Sequence, residues 1–545
     1  MRTMIECVHE DKKDIKAFYN CTFSSSRTHR LKDYFEGKLA DLRVVPYEQL
    51  DPEGQTDYVL LQKHLHRQLQ GLESMEASHT ELAPLVEPFA SDLVALLERR
   101  QKVTSTAGKY AADVLSVAGV EVRSRCAKIE EGQLTAGAEA DRFAAYRAVN
   151  VLDELQRLLR EWFGFYNGYD PTFTWWVSRP HELLIGLLQD LAEMVRDKLV
   201  GSSKKNDDAI VGQPTGSSSI LADLDAQFIA YSPEELIKIA EKEYTWCEGE
   251  MIKASVELGY ERDWKAALEH VKNMYVEPGQ QTYLVHELAE EAVAYVKKHD
   301  MVTIPPIAEE CWRTYMMSPA RQKVNPFFLG GESMVVSYPT NTMSHEEKLM
   351  SMRGNSGPLS RSTVFHELIP GHHLQYHMIA RYCSYRSLFS TPFWMEGWAF
   401  YWEFLLYDSD FTQKPEDRIG MLFWRMHRCA RIVFSIKFHL GEMTPQECID
   451  YLVEKVGHER ATAEGEVRRS FAGDYSPLYQ AGYMLGALQF RALRKEAVDE
   501  GGMSEKEFHD RVLKQGEMPI EILRALLIGK SLSKDHKASW RFYDL

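Results

Sequence analysis

The sequence predicts a mainly α-helical protein, a large two-lobed helical body around a central cleft with one small β element near residues 331–338. Three observations lead there. Apolar residues recur at three-to-four spacing over long stretches, several segments carry helix-start signals, and strand signals are almost confined to one short run.

From Phe143 the apolar residues fall at Tyr146, Val149, Leu152, Leu155, Leu159 and Trp162, the stripe of an amphipathic helix. A second stripe runs through Leu184, Leu188, Leu191, Val195 and Leu199. Ser232-Pro-Glu-Glu235, Thr444-Pro-Gln-Glu447 and Ser504-Glu-Lys-Glu507 read as capping boxes. In each, the hydroxyl accepts from an orphan backbone N–H and the Glu reaches back to the cap; Pro233 and Pro445 sit where a missing N–H costs nothing. The clearest strand is Ser333-Met-Val-Val-Ser337, bounded by Gly330-Gly331 and Pro339. Residues 201–220, rich in Gly, Ser and charge, predict a loop. It separates an N-terminal helical lobe, 1–200, from a longer C-terminal portion, 221–545, the alternative being one continuous helical domain. No internal repeat is present.

At 545 residues the chain exceeds one ordinary core, and with 44% hydrophobic and 11% aromatic residues it has enough apolar material to bury a large one. Its net charge of −16 argues against nucleic acid or an anionic membrane as partner. The eight cysteines are scattered without a CxxC, which reads as reduced core residues, not a disulfide framework or thiolate metal site. The N-terminal segment lacks the apolar stretch of a secretory signal, and no run approaches the roughly 18 apolar residues that span a bilayer. The expected compartment is therefore the cytosol. Nothing in the sequence specifies an oligomeric state.

His-Glu occurs six times, but only the copy at His366 has further histidines at short range: His366-Glu-Leu-Ile-Pro-Gly-His372-His373-Leu-Gln-Tyr-His377. A zinc site needs two imidazoles converging on one point with a carboxylate beside them to activate water. Histidines four apart on one helical face do this directly. Here the spacing is six, which on a regular helix would put His372 on the wrong side. Pro370 and Gly371 lie inside the gap, however; proline removes a helical hydrogen bond and glycine permits unusual dihedrals. A break there can rotate His372 back toward His366. His373 competes with His372 for this role, and His373 with His377, four apart, is a further pairing.

A second helix follows, with Thr391-Pro392 as its start and Glu396, Ala399, Phe400 and Glu403 on one face. A carboxylate among Trp394, Met395, Trp398, Phe400 and Trp402 is costly to bury without a partner, and a zinc ion is such a partner. Gly397 beside it would let this helix approach the histidine helix closely. The strand at 333–337 offers an edge along which an extended substrate could add.

The phrases HELIPGHHLQ, FWMEGWAFY, FYNGYDPTFTWWVSRP and Gln480-Ala-Gly-Tyr483…Gly486…Arg491-Ala-Leu-Arg494 resemble the DUF885 family, from about residue 30 onward. That family is grouped with gluzincin zinc peptidases of mainly helical fold, such as the angiotensin-converting-enzyme and thermostable-carboxypeptidase types. The resemblance implies a metallopeptidase-like fold with zinc held by His366, His372 and Glu396, or with His373 in place of His372, because the gap here is two residues longer than in the usual motif. It implies Glu367 as the base and Glu403 as a carboxylate that orients a ligand histidine. It also implies an oxyanion donor on a later helix: Tyr483, with Arg469 beside it and Tyr479 as an alternative. Tyr169, Trp175 and Trp176 are expected in the core near the cleft. The expected activity is hydrolysis of an amide in a small peptide or amino-acid-derived metabolite. The rival is a metal-dependent lyase, dehydratase or condensing enzyme on an amino-acid-derived metabolite.

Overall fold

The apolar stripe from Phe143 to Trp162 lies along one helix, with Val149, Leu152, Leu155, Leu159 and Trp162 all buried. The computed structural model describes residues 1–104, 106–135, 139–201, 210, 212–322, 328–409, 411–471 and 475–545. Two compact units emerge: Thr3–Pro46 with Gln62–Gln213, and Met1–Arg2, Tyr47–Leu61 with Pro214–Leu545.

The helices of the earlier part are α1 (Arg2–Phe18), α2 (Ser25–Arg43), α3 (Pro52–Val86), α4 (Phe89–Gln101), α5 (Gly108–Glu130), α6 (Glu139–Tyr166) and α7 (Pro171–Met194). The end of α3 and α4 to α7 share one apolar cluster around Phe89, Leu93, Leu152, Trp162, Phe173 and Leu184. The second predicted stripe occupies α7 and the π-helical turn Val195–Val200 that extends it. Asp170 caps α7, accepting from the Thr172 and Phe173 N–H groups. Its buried face carries Phe173, Val177 and Leu184. Tyr169, Trp175 and Trp176 point the other way and are 86%, 82% and 42% exposed, which corrects their expected place in the core. They precede α7 or lie on the side of it opposite the buried stripe, so aromatic character alone misleads here.

The later part adds α8 (Ser217–Ala226), α9 (Pro233–Glu257), α10 (Trp264–Lys272), α11 (Gln281–Lys298), α12 (Pro306–Glu310), α13 (Pro319–Gln322), α14 (His345–Gly354), α15 (Gly357–Glu367) and α16 (His372–Ile379). After these come α17 (Pro392–Asp408), α18 (Pro415–His439), α19 (Pro445–Val456), α20 (Arg460–Phe471), α21 (Tyr479–Arg494), α22 (Glu505–Lys514) and α23 (Ile520–Leu527). Of the predicted loop, residues 202–209 and 211 lie outside the described residues, and 217–220 are the first turn of α8. Ser232 and Thr444 form both halves of their capping boxes; Ser504 accepts from the Glu507 N–H without the return bond.

Strands β1 (Arg313–Met316) and β2 (Ser333–Val336) pair in parallel, Arg313 opposite Ser333. Met334 and Val336 of β2 pack on Val285 and Leu288 of α11 and on Val364 of α15, which ties the small sheet to the end of α15. Of the eight cysteines, all free, four are buried and Cys7 and Cys311 are exposed, so the core expectation holds for only part of the set. Among the described residues no helix is long and apolar enough to cross a membrane.

Candidate metal centre

The helix carrying His366 stops at Glu367 and the next begins at His372. Between them the Gly371 N–H donates to the Phe365 carbonyl at 3.0 Å, and the His373 N–H to the Leu368 carbonyl at 3.0 Å. A Cβ on Gly371 would lie 1.8 Å from the His366 carbonyl oxygen, so a glycine is needed for the chain to fold back this tightly. The turn brings the His366 and His372 rings to 4.9 Å, nearly perpendicular.

Glu396 meets them from α17. Its Oε2 is 3.2 Å from His372 Nε2 and 3.6 Å from His366 Nε2. Donor atoms of His366, His372 and Glu396 all lie within 4.8 Å of one another, and all three residues are buried. Two turns further along α17, Glu403 Oε1 lies 2.8 Å from His366 Nδ1. A carboxylate oxygen only accepts, so Nδ1 carries a proton and Nε2 is the ring atom turned to Glu396, free to hold a second proton or a cation. Gln375 does the same for His372. Its amide nitrogen donates to the Trp394 and Met395 carbonyls, and its Oε1, 3.2 Å from His372 Nδ1, is left as the acceptor. Gln375 is one helical turn past His372 on α16, a spacing visible in the sequence once that helix is placed.

The structure separates the adjacent histidines. His373 Nε2 is 2.9 Å from the Ala308 carbonyl, outside the cluster, and His377 is not part of the cluster either. Because consecutive helical residues diverge by about 100°, only one of the two can face His366.

Electrostatics follow from this crowding. Burial opposes charge on His366, but hydrogen bonds to Glu396 and Glu403 overcome it and raise its pKa to about 9. Burial likewise opposes ionisation of Glu396, yet His372 and His366 hold its pKa well below the ordinary carboxylate range. Glu367 is raised by burial, against the pull of His366 and His372. The main chain of Gly330, just ahead of β2, passes so close that a Cβ there would sit 2.1 Å from Glu367 Oε2.

Helix α21 supplies the tyrosines. Its seam with α17 is set by Gly397 and Gly486: a Cβ on Gly397 would be 2.5 Å from the Gly486 Cα. Gly397 thus serves contact with α21, not with the histidine helix as its sequence position suggested. The Tyr479 hydroxyl donates to Glu396 Oε1 at 2.6 Å. The Tyr483 ring lies nearly parallel to His366, 6.2 Å between centroids, with the Arg431 guanidinium 4.5 Å from its own centroid. Burial first, then Glu396, raises the Tyr483 pKa against Arg431, Arg469 and Arg428, so it stays a phenol and a donor. Arg469 stands 4.9 Å over the Tyr475 ring, half-buried, and among the described residues it makes no ion pair with the cluster. Residues 472–474 of the predicted Arg468–Tyr483 segment lie outside the described residues.

Arg428, which the sequence reading passes over, is buried on α18 with a guanidinium nitrogen 3.6 Å from Glu403 Oε1. Its sequence signal is the three-residue spacing of Arg425, Arg428 and Arg431 within the largely apolar stretch from Ile419 to Ile436 of that helix.

The DUF885 family model, described as a bacterial protein of unknown function, matches residues 21–527. No curated protein matches the chain. Among the solved structures that share its fold are the following two. One, described as a candidate lipoprotein of unknown function from Shewanella oneidensis, is 16% identical with a TM-score of 0.66, covering 96% of this chain and 99% of its own. The other, described as a candidate lipoprotein from Colwellia psychrerythraea, is 16% identical with a TM-score of 0.60, covering 93% and 91%.

Proposed function

The chain belongs to the DUF885 family, and we propose that it is a zinc-dependent hydrolase of the gluzincin type, cleaving amide bonds in small peptides or amino-acid-derived metabolites. The observation that carries this reading is the convergence of the two imidazole Nε2 atoms and Glu396 Oε2 near the carboxyl of Glu367, which makes no side-chain hydrogen bond among the described residues. Three buried acceptors pointed at one spot repel one another unless a positive charge lies between them. Zinc suits the donor set: with bonds of about 2.0–2.1 Å, tetrahedral donors stand roughly 3.4 Å apart. The two Nε2-to-Oε2 distances, 3.2 and 3.6 Å, bracket that value.

Zinc, when bound, supplies an acidified water and a polarised carbonyl. Glu367 takes the proton of the attacking water and delivers it to the leaving amine. Its raised pKa, caused by burial, favours holding that proton between the two steps. Tyr483, kept protonated, donates to the oxyanion as it develops, with Arg469 as a nearby positive charge.

The test uses the metal-loaded protein, a library of small peptides and amino-acid-derived metabolites, and heavy-oxygen water with mass detection. Label in a product carboxylate, and a Glu367→Gln variant that keeps its zinc but turns over at least ~100-fold more slowly, are the expected results. Turnover without label would sink amide hydrolysis in favour of a lyase. A Glu367→Gln variant within a few-fold of the parent would make Glu367 structural.

A further inference from the structure

A carboxylate can bind a cation through one oxygen or through both, and the choice decides how many positions remain for water and substrate. In this molecule the two oxygens of Glu396 face different neighbours. Oε2 looks at His372 Nε2, 3.2 Å away, and His366 Nε2, 3.6 Å away. Oε1 accepts the Tyr479 hydroxyl at 2.6 Å, the length of a charge-assisted O–H···O⁻ bond.

The donor is not free to drift. Tyr479 opens α21, and that helix is held against α17 where Gly397 meets Gly486 and Gly482 meets Pro392. Its ring is wedged against Tyr475, 4.2 Å between centroids. The helix seam that lets α21 reach α17 therefore also delivers the hydroxyl to one particular oxygen of the carboxylate four positions into α17.

Resting on the zinc reading above, we infer that Tyr479 is a positioning residue: it occupies Oε1 and so restricts Glu396 to a single-oxygen ligand. Three single-atom protein ligands leave the fourth position of a tetrahedral ion open. A Glu396 bound through both oxygens would fill it. The same bond withdraws Tyr479 from service as oxyanion donor, because its proton is already committed; Tyr483 keeps that part.

The experiment is zinc-edge X-ray absorption on the zinc-loaded full chain, its Tyr479→Phe variant and its Tyr483→Phe variant, with circular dichroism as the folding check. The parent should show two imidazoles and one carboxylate oxygen beside water. Tyr479→Phe should hold zinc at the parent's stoichiometry but gain a carboxylate oxygen at the metal, with activity down ~10–100-fold, as is usual when a group supporting a ligand is lost. Tyr483→Phe should slow turnover and leave the metal's coordination unchanged. A parent bound through both oxygens overturns the inference even if Tyr479→Phe fails to fold, and so does an unchanged spectrum in a folded Tyr479→Phe. A parent that binds no zinc overturns this inference and the hydrolase reading together. Zinc bound, peptide hydrolysed and coordination indifferent to Tyr479 overturns only the inference.

Discussion

Two buried histidine–carboxylate groups lie in the later part of the chain, and they are made of the same residue types with opposite electrostatics. In one, His366 and His372 face Glu396 and Glu403. In the other, His458 Nε2 and His427 Nδ1 are 2.8 Å apart, and His427 Nε2 is 4.0 Å from Glu466. The difference lies in which carboxylate an arginine reaches: in the first group Arg428 stands 3.6 Å from Glu403, but among the described residues no arginine pairs with Glu396. Arg431 Nε donates to Glu466 at 2.6 Å, and Arg431 with Arg469 brings the Glu466 pKa down to about 2 despite its burial. With the carboxylate neutralised, nothing calls for charge on the rings. Burial depresses His458 to about 3, and one neutral ring simply donates to the other. Glu396 has imidazoles and a tyrosine hydroxyl as partners instead of an arginine, so its charge is balanced by what the imidazoles share with it, a proton or a bound cation. On the proposed reading, the first group is left for a cation because no guanidinium pairs with Glu396, whereas Arg431 has already taken Glu466.

The sharpest way to break this comparison is to truncate each group in turn and measure bound metal. His366→Ala, His372→Ala and Glu396→Ala should each strip zinc, since each removes one of the three ligands proposed for it. His427→Ala and His373→Ala should leave it in place, because His373 is turned to the Ala308 carbonyl. Zinc retained by His372→Ala but lost from His373→Ala would reverse the register of the turn at Pro370.

A somewhat smaller effect is expected from unbalancing the second group. Arg431→Met leaves Glu466 buried beside a missing partner, and breaking such a pair typically costs about 3–5 kcal/mol. Denaturant unfolding should register that loss, and adding Glu466→Gln to Arg431→Met should recover most of it. A loss below ~1 kcal/mol for Arg431→Met would mean that Arg469 alone neutralises Glu466.

The smallest effect is in the pH dependence of stability. The folded pKa of His458 is depressed below its ordinary value of 6.5, to about 3. Between those values the unfolded chain binds a proton that the folded one refuses, so stability falls as pH drops through that window. One such histidine contributes a slope approaching 1.4 kcal/mol per pH unit, by the approximate cost of one pKa unit. His458→Gln should flatten the acid limb of a stability-against-pH curve by about that amount. An unchanged limb would show that the ring is protonated in the folded state and that the two groups are less different than their geometry implies.

Much of this was legible in the linear sequence because it depends on neighbours along the chain. Helix periodicity, the Ser232 and Thr444 caps and the break at Pro370-Gly371 are all local effects of side-chain spacing and backbone freedom. So is the pairing of Glu396 with Glu403 on one face of α17, seven residues apart and both turned to His366. Other decisions belong to tertiary packing alone. Which of His372 and His373 faces inward depends on how the chain re-enters a helix after the turn, and on an Ala308 carbonyl far off in sequence that takes the loser. That Gly397 serves α21, that Tyr479 bonds Glu396 while Tyr483 stacks on His366, and that Arg428 stands behind Glu403 all require helices distant in sequence to meet. The exposure of Trp175 and Trp176 is of the same kind, since a helix's face is chosen by what packs against it. Residue type and spacing determined which groups could bind a cation. The charge each group keeps was decided only by which arginine or tyrosine the fold brought within a few ångströms, because such interactions fall off with distance in space and take no account of distance along the chain.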